Sequence, residues 1–158
     1  MARTAHGERG FTYLGVMFII ALMGLTGAMA SVVWATAQRR ANERELVFIG
    51  QQFSAAIASY QRRPAVAPPR YPRTLEELVR DDRTPTPARH LRKIYVDPIT
   101  GDSKWGLVLA PDGGIVGVHS LSDREPFPRT KPIADYSPPS SSKTYRDWVF
   151  TPLQPQEP

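Results

Sequence analysis

The chain of 158 residues has three histidines and no cysteine. Its richest polar run around an imidazole is VHSLSD, where Ser120, Ser122 and Asp123 follow His119. A serine, a histidine and a carboxylate make a nucleophile relay only if the base reaches the hydroxyl and the acid orients the base. The spacing in VHSLSD gives no such geometry, so no enzymatic activity and no catalytic residue are expected. Asp123 with Asp112 or Asp102 could offer hard oxygen ligands to calcium, but the spacing closes no known loop motif, and solvated turn acids are expected instead. Zinc is excluded by the lack of cysteine and the scarcity of histidine. No resident cofactor or metal is therefore expected. The basic run RHLRK, with Arg80 and Arg83 upstream, could touch phosphate. Asp81 and Asp82 interrupt it, the net charge of +5 is modest, and no aromatic-interleaved strand surrounds it. A solvated face or salt bridges between subunits is expected there, rather than nucleic-acid binding.

What could position any site is set by a longer pattern. Phe11 to Gln38 is a run of 28 uncharged residues beginning FTYLGVMFII, longer than the roughly 20 that a helix needs to cross a bilayer core. A transmembrane helix over 11–37 is expected. A secretory signal peptide cut after Ala28-Met29-Ala30 is the rival reading, but the apolar block outlasts the usual core of such a peptide and continues through SVVWATA. Flanking charge does not orient the segment. Arg3, Arg9 and Glu8 lie before it, and Arg39, Arg40, Glu43, Arg44 and Glu45 lie after it.

The segment 38–63 keeps a helical apolar spacing at Leu46, Ile49, Phe53, Ile57 and Tyr60, widened by Val47 and Ala56. No proline or glycine separates Gln38 from Leu46, so one continuous helix from about Phe11 to Arg63 is expected, about 80 Å long. Gly50 reads as a tolerated residue in that register, costing about 1 kcal/mol relative to alanine. Pro64 ends the helix, and RRPAVAPPRYP is an extended connector. In TLEELVR the Thr74 to Glu77 spacing predicts a capping box, with Leu75 and Leu78 on one apolar face. DDRTPTPARH reads as a loop. Strands are expected at 93–96, 104–110, 114–120 and 147–151, the middle two joined as a hairpin by PDGG. The Pro- and Ser-rich stretch before the last strand reads as a loop across the sheet. Such a sheet needs a helix over one face, and the Leu46 to Tyr60 stripe supplies it. The expected fold is α+β: a long N-terminal helix packed on a small antiparallel sheet. It comprises a leader over 1–10, the membrane helix over 11–37, its extension over 38–63, a small domain over 64–151 and a fraying tail over 152–158.

A charged leader ending in glycine, then Phe-Thr, a long apolar helix and a small C-terminal domain, resembles the type IV pilin-like family, and within it the pseudopilins of type II secretion systems. RGFTYLG is similar to the family's processing signal, and YPRTLEELV and YVDPITGDSKWGLV to the entry into its sheet domain. The resemblance implies a pilin-like fold and cleavage by a prepilin peptidase between Gly10 and Phe11, with N-methylation of Phe11. It also implies a single-pass bacterial inner-membrane protein with a periplasmic C-terminal domain. Its partners would be membrane lipid, an inner-membrane assembly platform and other pseudopilin or pilin subunits. Helix packing in the filament would use Gly24, Gly27 and Ser31. Where the family carries a glutamate that offsets the amino terminus of an adjacent subunit, this chain has Gly15. That departure points to a divergent or minor subunit. The other readings are a minor pilin of a type IV or DNA-uptake pilus and a membrane-anchored periplasmic binding module.

Overall fold

The computed structural model describes residues 9–63, 70–128, 133 and 136–152, with the backbone alone described at 9–12 and 25–32. Helix α1 runs Arg9–Arg62. The chain divides into two units, Met1–Arg40 and Ala41–Pro158. In the first, every described side chain from Tyr13 to Gly24 is exposed, as are Val33 and Trp34. Among the described residues, no helix is long and apolar enough to cross a membrane. The side chains of 25–32, in the middle of the uncharged run, fall outside the described set.

The second unit is α+β. Strands β1 (Gly106–Leu109), β2 (Ile115–His119) and β3 (Val149–Phe150) form an antiparallel sheet in the order β1-β2-β3. Leu107 faces Val118 across the hairpin, and Val118 faces Phe150 across the second pairing. A bulge falls between Val108 and Leu109. The turn closes through Ala110 N–H to Gly114 O (2.8 Å) and Gly113 N–H to Ala110 O (2.9 Å). Gly113 takes the positive φ (80°) that suits a residue without Cβ.

One face of α1 closes this sheet. Leu46, Val47, Ile49, Phe53, Ala56, Ile57 and Tyr60 are all buried in one core with Leu78, Leu91, Trp105, Ile115, Val118, Trp148 and Phe150. The Phe53 ring lies 5.1 Å from Trp105. Gly50 sits on the same face, and its reading as merely tolerated is corrected. A Cβ there would fall 2.3 Å from the Phe150 ring, so β3 reaches the helix only because position 50 carries no side chain. Ser54 Oγ then donates to Thr151 O at 2.6 Å.

Two local expectations also need correction. Residues 93–96 join no ladder, because the Tyr95 carbonyl accepts from the Trp105 indole (2.8 Å) and Ile94 and Tyr95 pack on the core from irregular backbone. The short helix α2 (Glu76–Val79) lacks the Thr74 capping box. Its Glu77 carboxylate is engaged elsewhere, accepting from Tyr60 Oη at 2.6 Å and Arg73 N–H at 3.2 Å. The long loop before β3 contains a 3-10 turn, Tyr145–Asp147, and buries Ile133 and Tyr145. The connector at 64–69 and the tail at 153–158 lie outside the described residues.

Gly50→Ala should destabilise a fragment starting at Gln38 by about 1–3 kcal/mol despite alanine's better helix propensity. In a Phe150→Ala background the same change should become neutral or stabilising. Urea melts of the four variants give the coupling.

Candidate assembly surface and its ionic clamp

The residues expected to govern processing and helix packing lie in the first unit. Gly10 and Phe11 belong to α1, with their side chains outside the described set, as do Gly27 and Ser31. At Gly15 and at Gly24 an added Cβ would meet nothing within 4 Å. Both therefore stand open to whatever lies beside the helix. The five stripe residues Leu46, Ile49, Phe53, Ile57 and Tyr60 are brought together under the sheet.

Arg89, Arg92 and Lys93 are exposed, as expected of a solvated face, but Asp81, Arg83 and His90 beside them turn inward. Asp81 is buried, and Arg83 folds back on it with Nε to Oδ1 and Nη2 to Oδ2, both at 2.8 Å. The Arg83 N–H also donates to Asp81 Oδ1. His90 Nε2 lies 3.1 Å from Oδ2, and its Nδ1 lies 2.9 Å from Ser59 Oγ on α1. Arg83 Nη2 donates in addition to the Tyr60 carbonyl (2.8 Å), and its guanidinium lies 3.5 Å from the centre of the Tyr60 ring. The Tyr60 carbonyl belongs to the last turn of α1, where helical partners run out and negative dipole charge gathers. The guanidinium satisfies both needs. The strand-like bridge Asp81–Ala88 and the bonds from His90 N–H and Leu91 N–H to Leu78 O fix the loop that carries these groups. Arg80 and Asp82 form an exposed pair within the chain, and Arg89 donates to the Arg92 carbonyl.

The Arg83 guanidinium, with the Arg83 backbone N–H and the His90 ring as further donors, holds the Asp81 carboxyl far below the usual carboxylate range despite its burial. Desolvation, reinforced by Glu77, pushes the Tyr60 phenol up to about 12. Ser59, His90 and Asp81 thus stand in the contact order of a nucleophile relay, although no relay is expected from the sequence. Ser59 lies inside α1, where the neighbouring N–H groups are committed to helical bonds, and Asp81 is saturated by Arg83. The arrangement acts as a clamp between helix and loop. Around His119 the groups disperse. Nδ1 meets the Ser120 carbonyl, Ser120 Oγ donates to the buried Asp97 (2.6 Å), and Asp123 pairs with Arg146 at 3.1 Å.

Besides Asp81, two further buried carboxylates were missed in the sequence. Glu43 was placed with the flanking charges, yet it is fully buried, accepting from Tyr145 Oη at 2.6 Å and Phe127 N–H at 3.0 Å. The signal was present, since one more turn back along the stripe from Leu46 lands on Glu43. Asp97 accepts from Ile99 N–H as well as Ser120 and organises the DPITGD turn. Among the described residues no group of three or more histidines or carboxylates could hold a metal. Asp112 instead accepts from Gly114 N–H in the hairpin turn, and the Asp102 carbonyl accepts from Asp97 N–H. No family model, curated protein or solved structure matches this chain.

Because the folded-state carboxyl of Asp81 is depressed, its contribution to stability is present above the unfolded value near 3.9 and is lost as pH falls through the lower folded value. Asp81→Asn should cost about 3–5 kcal/mol at pH 7, since it leaves Arg83 without its anion. It should also flatten the loss of stability below about pH 4. Urea melts at pH 7 and in acid measure both effects.

Proposed function

We propose that this chain is a structural subunit of a type II secretion pseudopilus, synthesised with a leader that a prepilin peptidase removes between Gly10 and Phe11. The uncharged run from Phe11 to Gln38 is its membrane anchor in the bacterial inner membrane, and the second unit is its periplasmic domain. The observation that carries this reading is the division of labour along α1. From Tyr13 to Met23 it exposes large apolar side chains on all sides, whereas from Leu46 to Tyr60 a single stripe is buried in an α+β domain. An apolar surface all round a helix needs lipid or other helices to cover it. In the proposed protein the bilayer covers it before assembly and neighbouring subunits afterwards. Gly15 leaves an incoming amino terminus without a carboxylate to offset its burial, which suits a divergent or minor subunit.

The membrane-extracted protein should begin at Phe11, with its amino group methylated and the helix retained. Amino-terminal sequencing and intact mass measure this. An intact Met1 in peptidase-positive cells, or a chain beginning at Ser31, contradicts it.

A further inference from the structure

The uncharged run from Phe11 to Gln38 is longer than a bilayer needs. At about 1.5 Å per residue its 28 residues reach about 42 Å, against a hydrocarbon core of about 30 Å, so lipid fits it in several registers. Two side chains distinguish those registers. Tyr13 and Trp34 are the only tyrosine and tryptophan among the first 40 residues, and both stand out from α1, 66% and 75% exposed. Each carries an apolar ring with a polar O–H or N–H at its rim, the kind of side chain that gathers where hydrocarbon meets headgroups. They are 21 residues apart, about 31 Å along the helix, which matches the thickness of the hydrocarbon core. The 20 residues between them, Leu14 to Val33, contain no charge and no proline. The nearest charges lie beyond both ends. Arg9 comes four residues before Tyr13 and Arg39 five after Trp34, about 6 and 8 Å outside that span, at headgroup depth for a long side chain.

We propose that Tyr13 and Trp34 are the two interface anchors of α1, so that hydrocarbon covers Leu14 to Val33 while Phe11, Thr12 and residues 35–38 lie among lipid headgroups. This rests on the proposed membrane anchor and narrows it from 11–37 to 14–33. Met23 and Gly24 then lie at the midplane, equally far from both anchors. Sliding the helix by one turn in either direction takes one polar rim into hydrocarbon and carries the arginine beyond it toward the core, where a charge is costly. The pair therefore fixes depth from both sides.

The chain has no cysteine, so single spin labels on the full-length protein report depth position by position. Labels at Leu14→Cys, Phe18→Cys, Met23→Cys, Val33→Cys and Ala37→Cys, at high dilution in phosphatidylethanolamine–phosphatidylglycerol vesicles, are read by collision with oxygen and with a water-soluble nickel chelate. Met23→Cys should be deepest, Leu14→Cys and Val33→Cys equally shallow, and Ala37→Cys among the headgroups. A difference of a turn or more between Leu14→Cys and Val33→Cys overturns the register and leaves the membrane anchor standing. Moving both aromatics three residues along, by Tyr13→Leu, Val16→Tyr, Trp34→Ala and Ala37→Trp, should make Val33→Cys deeper and Leu14→Cys shallower by about 4 to 5 Å. An unchanged profile overturns the anchoring role. Each of these positions is exposed, and an unchanged thermal melt verifies that the second unit stays folded. Free collision of every label with the nickel chelate defeats the membrane anchor and this inference together. The expected profile in a chain whose leader stays uncut in peptidase-positive cells upholds the two anchors and defeats the pseudopilus reading.

Discussion

The fold of the second unit depends on burying one stripe of α1 under a sheet too small to stand alone. Three short strands offer little apolar area, and no disulfide can staple them. Leu46, Phe53, Ile57 and Tyr60 supply the missing layer, and the strands supply theirs through Val118, Ile115 and Phe150. At Gly50 the two layers come close, the ring of Phe150 occupying the space of a side chain. Helix and sheet are consequently one cooperative body, and the helix cannot be withdrawn without exposing the core.

Buried carboxylates make the irregular segments follow the same helix. Glu43 draws in the Tyr145 turn and the backbone at Phe127, while Asp97 holds the DPITGD turn to the end of β2. At the far end of α1, Asp81 gathers Arg83 and His90, which in turn bind the Tyr60 carbonyl and Ser59. A buried ion of this kind is costly unless its hydrogen bonds are made, so each site specifies one loop conformation more than it adds net stability. The domain thus takes its order from polar contacts to both ends of a single apolar stripe.

The apolar periodicity from Leu46 to Tyr60 and the PDGG turn were legible in the sequence because each is a local pattern with one physical reading. Residues 93–96 were not, since their apolar composition suits a strand while the Trp105 indole takes the Tyr95 carbonyl. Thr74 and Glu77 had capping-box spacing, but the phenol of Tyr60, distant in sequence, claims the carboxylate. Asp81 and Glu43 looked like surface charges because partners that justify burial, Arg83, His90 and Tyr145, are identified only by the fold. Gly50 carried no local sign that an aromatic ring from residue 150 needed its space.

The packed domain covers the second half of α1; that a bilayer or neighbouring helices cover its first half is the central proposal. Single cysteines placed at Leu14, Phe18 and Arg92 of the full-length chain in native membranes, probed with a maleimide that cannot enter lipid, test it most directly. Arg92→Cys should label readily in intact membranes, while Leu14→Cys and Phe18→Cys should label only after detergent opens the membrane and separates the chains. Equal labelling of all three in intact membranes would contradict the account.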